Sequence, residues 1–152
     1  MKKPASALAL LAVAFAASAS DAPYDETANA KAEVQQVLEA ARTDHKQILL
    51  VFGANWCPDC RELDKALHGT SRALVDGRFD VVKIDGGNFD KNLDLAERYG
   101  NPIEKGIPAI VVLTADGKIS YSTKGGELAN ARKMGETGIY DFLVRSVAKP
   151  AG

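Results

Sequence analysis

Histidine and cysteine are scarce in this sequence, with two residues of each in a chain of 152. The cysteines are Cys57 and Cys60, and two cysteines at this spacing supply half of a zinc site. His45 precedes an apolar run by a few residues and His68 lies two helical turns beyond Cys60, so neither histidine has the spacing of a ligand pair. We therefore expect no metal and no cofactor, and keep a zinc site as a rival interpretation of the cysteine pair.

A strong charge of one sign is also absent. The formal net charge is -1 and the isoelectric point is near 6.1, with no stripe of lysine or arginine. Because nucleic-acid binding needs such a stripe, we expect no nucleic-acid partner. The apolar fraction of 46% and the charged fraction of 26% are typical of a soluble globular protein. The length suits one domain and a targeting segment.

No apolar run reaches the roughly 20 residues that a membrane-spanning helix needs. The N-terminus instead carries Lys2 and Lys3, then an apolar stretch over residues 5–17, then small residues at positions 17–19. This order of charge, apolar stretch and small residues is typical of a secretory signal peptide. The sequence therefore predicts export.

These features divide the chain into three parts. We predict a signal peptide over residues 1–19, cleaved on export, a flexible leader over 20–29 and one domain over 30–152. A retained membrane anchor is the alternative, which the shortness of the apolar stretch disfavours. We expect a monomer with no stable membrane insertion.

Both cysteines stand in the segment Trp56-Cys57-Pro58-Asp59-Cys60, between an apolar run and a stretch with helical periodicity. Unpaired backbone N–H groups and the helix dipole favour a thiolate at a helix N-terminus, where Cys57 falls. Cys60 lies one turn further along, close enough to attack a mixed disulfide formed by Cys57. We predict a redox-active dithiol. A structural disulfide is the alternative, but so small a loop has little entropic effect on the unfolded chain.

Helical and strand patterns alternate along the rest of the chain. The predicted helices cover residues 30–42, 58 to about 69, 93–99, 127–134 and 138–148, with a connection over 73–78 that can hold a further helical turn. The predicted strands cover 47–53, 79–85, 107–113 and 119–122. Strands that alternate with helices imply parallel pairing through right-handed crossovers, and the late hairpin adds an antiparallel edge. The expected fold class is α/β, a central mixed sheet flanked by helices.

Three segments, ILLVFGANWCPDC, VVKID and AERYGNPIEKGIPAIVVLTADGK, resemble the thioredoxin superfamily in their order and separation. Together with the terminal helix they cover most of residues 47–147. The resemblance implies a thioredoxin-like fold in which Cys57 is the attacking thiolate and Cys60 is the resolving thiol. Among exported members, the chain is similar to periplasmic proteins that exchange disulfides with other envelope proteins.

The resemblance also implies roles for the residues around the dithiol. Pro108 matches a proline held in a cis peptide bond beside the active site, and the backbone of Ile107 would pair with a substrate strand. Trp56 would shelter the dithiol and contact substrate. Pro58 falls at the start of the helix, where its missing N–H costs nothing. From the residues alone, Pro108 would be an ordinary proline at a strand entry.

The sequence departs from thioredoxin at two points. Val51 stands where thioredoxin has a buried aspartate that assists proton transfer to and from the resolving cysteine, and Val81 matches its lysine neighbour. Asp59, Glu62 or water are the candidates for this proton transfer. The second departure is Asp59 itself, because a carboxylate close to Cys57 disfavours the thiolate. A less stabilised thiolate predicts a reducing or intermediate protein rather than a strong oxidant.

The sequence thus predicts an exported protein-disulfide oxidoreductase that acts through Cys57 and Cys60 and is more reducing or isomerising than oxidising. Its partners would be protein thiols and disulfides, together with an unidentified protein that donates or accepts electrons. The alternative is a thioredoxin-like binding or chaperone module in which the disulfide is incidental. The intact dithiol together with Pro108 favours the enzyme.

Overall fold

The structure is a computed structural model of the chain and describes residues 22–147. The predicted signal peptide lies outside the described residues. Within residues 22–147, no helix combines the length and the apolar character needed to cross a membrane.

The helices and strands follow the predicted order, with small shifts at their ends. In chain order they are α1 (Ala30–Asp44), β1 (Gln47–Gly53), α2 (Pro58–His68), α3 (Arg72–Arg78), β2 (Phe79–Asp85), α4 (Leu93–Arg98), β3 (Ala109–Leu113), β4 (Ile119–Ser122) and α5 (Ala131–Ser146). One addition is α3, which lies where the sequence predicts a connection with at most a helical turn. α5 joins the two predicted C-terminal helices and is kinked between them at Gly135, where φ is 63°. A positive φ suits glycine, which has no Cβ to clash with the backbone.

The four strands form one sheet in the order β2-β1-β3-β4. β1 pairs with β2 in parallel and with β3 in antiparallel orientation, and β3 and β4 form an antiparallel hairpin. The predicted α/β fold with a mixed sheet is confirmed. The parallel portion is confined, within residues 22–147, to the β1–β2 pair, because the chain returns after α4 and enters β3 from the opposite end of the sheet.

The apolar core surrounds β1, whose residues from Ile48 to Phe52 are all 2% exposed or less. A strand covered on both faces needs such an uninterrupted apolar run. α1 packs on β1 and β2, while α2 packs on α5. In α2, the helical period turns Cys60 and Leu63 inward, and both are 0% exposed. Burying a side chain such as Leu63 contributes roughly 1.5–3 kcal/mol, so this packing holds the start of α2 against the sheet.

Residues 22–29 belong to the predicted flexible leader, and five of these eight residues are exposed, but Tyr24 packs on the domain. Tyr24 is 3% exposed and belongs to the core. The Asn55 side chain fixes the Tyr24 backbone through two hydrogen bonds. Its Oδ1 accepts from the Tyr24 N–H (2.9 Å), and its Nδ2 donates to the Tyr24 carbonyl (2.9 Å). The polar composition of this segment indicates a loop, but burial of the aromatic ring of Tyr24 fixes it to the domain.

Candidate active site

The two cysteines lie where β1 leads into α2. Cys57 is the N-cap residue of α2, and its Sγ accepts a hydrogen bond from the backbone N–H of Cys60 (3.1 Å). Pro58 occupies the first turn of the helix, where its lack of an N–H leaves no donor unpaired. The structure contains a disulfide between Cys57 and Cys60.

The exposure of the two sulfur-bearing residues differs. Cys57 is 4% exposed and Cys60 is 0% exposed. Of the two cysteines, Cys57 alone has surface in contact with solvent. The N-terminal end of α2 adds partial positive charge beside Cys57, which favours a thiolate when the disulfide is reduced.

The peptide bond between Ile107 and Pro108 is cis, as the family resemblance predicts. It brings the carbonyl oxygen of Ile107 to 3.8 Å from the Cys57 Sγ. A disulfide sulfur carries no proton to donate, so this is a packing contact in the oxidised protein. The segment before β3 and the start of α2 thus form two sides of the same site, although fifty residues separate them.

Trp56 projects beside the dithiol and is 52% exposed. Its Nε1 donates to the carbonyl of Gly87 (2.8 Å), and its ring lies 6.3 Å from the Phe89 ring at a tilt of 59°. Phe89 is itself 46% exposed, so the two rings form an apolar surface next to the cysteines. The sequence analysis does not single out Phe89, because no local pattern connects it with Trp56.

Buried Asp85 holds the loop that anchors Trp56. Its Oδ1 accepts from the Gly87 N–H (3.1 Å), and its Oδ2 lies 3.1 Å from the Lys91 Nζ. Asn92 donates from Nδ2 to the Asp85 backbone carbonyl (2.8 Å). Asp85 therefore has a structural role: it fixes the loop whose Gly87 carbonyl receives the Trp56 hydrogen bond.

Asp59 is paired with Arg132, which the sequence analysis does not identify. Asp59 Oδ1 accepts from the Arg132 backbone N–H (2.9 Å) and from its Nε (3.3 Å), and Oδ2 accepts from Nη2 (3.4 Å). Burial raises the pKa of Asp59, but these hydrogen bonds and the guanidinium charge outweigh burial and lower it. The carboxylate stays charged, and Arg132 compensates its charge. The predicted effect of Asp59 on the Cys57 thiolate is therefore smaller than that of an unpaired carboxylate.

Val51, which stands where thioredoxin has its proton-transfer aspartate, is buried in the sheet. Val51 is 2% exposed, and its partner across the β1–β2 pair is Lys83. Lys83 forms an ion pair with Asp64 of α2. Asp59, one of the predicted substitutes for the missing acid, is engaged by Arg132.

Tyr24 is a buried tyrosine near Cys60. A methyl group at Gly53 would overlap the Tyr24 hydroxyl and would lie 3.0 Å from the Cys60 Sγ. The hydroxyl and the sulfur thus converge on the space that the missing side chain of Gly53 leaves open. Burial raises the pKa of Tyr24 far above its usual value, with smaller contributions from the charges of Asp64 and Asp85, so the hydroxyl keeps its proton.

Comparison with known proteins places these features in a family. Residues 29–115 match the family described as thioredoxin-like. A crystal structure of a disulphide isomerase from Xylella fastidiosa Temecula1 is 59% identical, with a TM-score of 0.79, and the match covers 81% of this chain and 95% of that chain. The thiol:disulfide interchange protein DsbD of Pseudomonas fluorescens is 30% identical over 122 residues, which is 78% of this chain and 19% of that protein. Thioredoxin of Rhodospirillum rubrum is 35% identical over 81 residues, 53% of this chain and 69% of that protein.

The curated relatives differ greatly from this chain in length. The chain spans 21%, 19% and 27% of the lengths of a probable nucleoredoxin from Oryza sativa, of DsbD and of a protein disulfide-isomerase from Datisca glomerata.

Proposed function

The chain belongs to the thioredoxin-like family of thiol-disulfide oxidoreductases, and we propose that it is an exported protein-disulfide oxidoreductase that acts on envelope proteins through Cys57 and Cys60. One observation carries this proposal: the disulfide at the start of α2 faces the cis peptide bond before Pro108. The carbonyl of Ile107 lies next to Cys57, where the backbone of an extended substrate can be held beside the reactive sulfur.

The reaction proceeds in two exchange steps. In the reduced protein, the Cys57 thiolate attacks one sulfur of a substrate disulfide, the substrate S–S bond breaks, and the other substrate sulfur leaves as a thiolate. The Cys60 thiolate then attacks the Cys57 sulfur and displaces the second substrate thiolate. Two electrons have passed to the substrate, whose thiolates take up protons, and the protein is left with its disulfide. An electron-donor protein must reduce this disulfide for another cycle.

Reduction of insulin by a small dithiol tests the activity, because precipitation of the free B chain reports turnover. We expect the protein to accelerate precipitation and Cys57→Ser to abolish that acceleration, since no nucleophile remains at the exposed position. Full activity in Cys57→Ser would refute the assignment of Cys57 as the nucleophile. No acceleration by the wild-type protein would favour the alternative, a binding or chaperone module with an incidental disulfide.

Trapping identifies the attacking cysteine and the partners together. Cys60→Ser should accumulate mixed disulfides with envelope proteins, because the resolving step is lost. The matched control is the double variant with both cysteines replaced, which should capture nothing. Equal capture by the single and the double variant would mean that the captured proteins are not bound through Cys57.

We propose that the protein works in the reducing or isomerising direction in the periplasm, after cleavage of a signal peptide over residues 1–19. The names of the disulphide isomerase and the disulfide interchange relatives support this direction. Equilibration with glutathione should give a potential more negative than about -120 mV, the value for a strong disulfide-introducing oxidase. N-terminal sequencing of the protein from a periplasmic extract should find a chain that starts close to Ser20; a full-length chain in the membrane fraction would refute cleavage.

A further inference from the structure

The resolving cysteine poses a chemical problem that Cys57 does not. Cys60 is 0% exposed, and a thiolate in an apolar interior is costly unless a donor stabilises it. In this protein Val51 occupies the position at which an acid would assist, and Asp59 is paired with Arg132. A hydrogen-bond donor beside the Cys60 sulfur would therefore favour the second exchange step.

Tyr24 is the polar group that the fold brings to this place. Its hydroxyl and the Cys60 sulfur both lie within 3.0 Å of the point that a Cβ at Gly53 would occupy. Glycine at position 53 leaves this space open, and Asn55 fixes the Tyr24 backbone with two hydrogen bonds of 2.9 Å. The Tyr24 hydroxyl and the Cys60 sulfur therefore border the same open space, and the Tyr24 backbone is fixed beside it.

The charged groups around the hydroxyl keep it protonated. Asp64 approaches from α2 and Asp85 from the end of β2, and both negative charges oppose ionisation of Tyr24. Each carboxylate has a lysine partner, Lys83 for Asp64 and Lys91 for Asp85. A hydroxyl that keeps its proton can donate a hydrogen bond but cannot act as the base that removes a proton.

We propose that the Tyr24 hydroxyl donates a hydrogen bond to the Cys60 sulfur when the disulfide opens, and so stabilises the Cys60 thiolate for the resolving attack. This inference rests on the proposed function, because it concerns the second of the two exchange steps. Cys60 loses its proton to the buffer, its sulfur bonds to the Cys57 sulfur, and the bond from Cys57 to the substrate sulfur breaks. Tyr24 keeps its proton throughout and is a positioning residue.

The two exchange steps can be observed separately with a dithiobis-nitrobenzoate, an aromatic disulfide that releases a coloured thiolate. The reduced protein should release one coloured thiolate when Cys57 attacks and a second when Cys60 resolves the mixed disulfide. In Tyr24→Phe we expect an unchanged first phase and a second phase about tenfold slower, as for the loss of a hydrogen bond to a charged group. The pH midpoint of the second phase should rise by about one pH unit, an effect that loss of packing alone would not produce.

Two further variants make the test specific. Tyr121→Phe removes a tyrosine hydroxyl from β4, where Tyr121 packs edge-on against Phe142, and should leave both phases unchanged. Asn55→Ala releases the Tyr24 backbone and should slow the second phase as Tyr24→Phe does. A second phase in Tyr24→Phe with wild-type rate and pH midpoint overturns the inference and leaves the proposed function intact. Absence of both phases in the reduced wild-type protein overturns the two together.

Discussion

Removal of the Arg132 guanidinium should make Cys57 less reactive, because it removes the positive charge that compensates the Asp59 carboxylate. Asp59 is two residues from Cys57, in the first turn of α2. Its side chain is 15% exposed, while that of Arg132 is 61% exposed. The pair lies at the edge of the protein, so the interaction of Asp59 with the thiolate is screened to an intermediate degree.

The size of the effect follows from Coulomb's law. For charges about 7 Å apart and an effective dielectric constant of about 40 to 80, a unit charge changes the energy of the thiolate by roughly 0.6–1.2 kcal/mol. Arg132→Ala should therefore slow alkylation of Cys57 at neutral pH about three- to sevenfold. Because the charge acts on the reduced form, the potential should become more negative by about 10–25 mV.

A double-mutant cycle separates the charge of Asp59 from other consequences of losing Arg132. Asp59→Asn leaves the positive charge alone and should speed alkylation, whereas the double variant Asp59→Asn, Arg132→Ala should react at nearly the wild-type rate. Alkylation by iodoacetamide as a function of pH and equilibration with glutathione provide the two measurements. If the double variant reacts as slowly as Arg132→Ala, the charge of Asp59 does not control Cys57 and the reasoning is refuted.

Two further predictions concern stability. Gly53→Ala should lower the free energy of unfolding by about 1–3 kcal/mol because the methyl overlaps the Tyr24 hydroxyl; urea titration measures this, and Gly77→Ala in α3, where a methyl meets nothing within 4 Å, is the control that should not destabilise. Hydrogen bonds from Thr70 lower the pKa of Glu136 from its usual value of 4.5. The contribution of Glu136 to the free energy of unfolding is therefore complete above pH 4.5 and is lost as the pH falls through the lower pKa of the folded protein. The urea midpoints of the wild type and Glu136→Gln should therefore converge in acid, and a difference independent of pH would contradict this.

The local patterns of the sequence were sufficient for the architecture and for the two cysteines. A buried strand requires an uninterrupted apolar run, and α2 requires its inward residues at helical spacing, so both can be read from neighbouring positions. The dithiol is visible for the same reason, since its chemistry depends on two residues one helical turn apart. No residue near Pro108 indicates a cis peptide bond. Only the family resemblance predicts it.

Tertiary structure alone decided what surrounds the dithiol. Asp59 and Arg132 are 73 residues apart in the chain, and Tyr24 and Asn55 are 31 apart. Nothing in the spacing of such residues predicts their contact, because it depends on how whole elements pack. For this reason the sequence predicted a flexible leader where Tyr24 is buried, and an uncompensated carboxylate where Arg132 is bound. The sequence determines the pair of cysteines. The packing of whole elements determines which other side chains, such as Arg132 and Tyr24, lie around that pair.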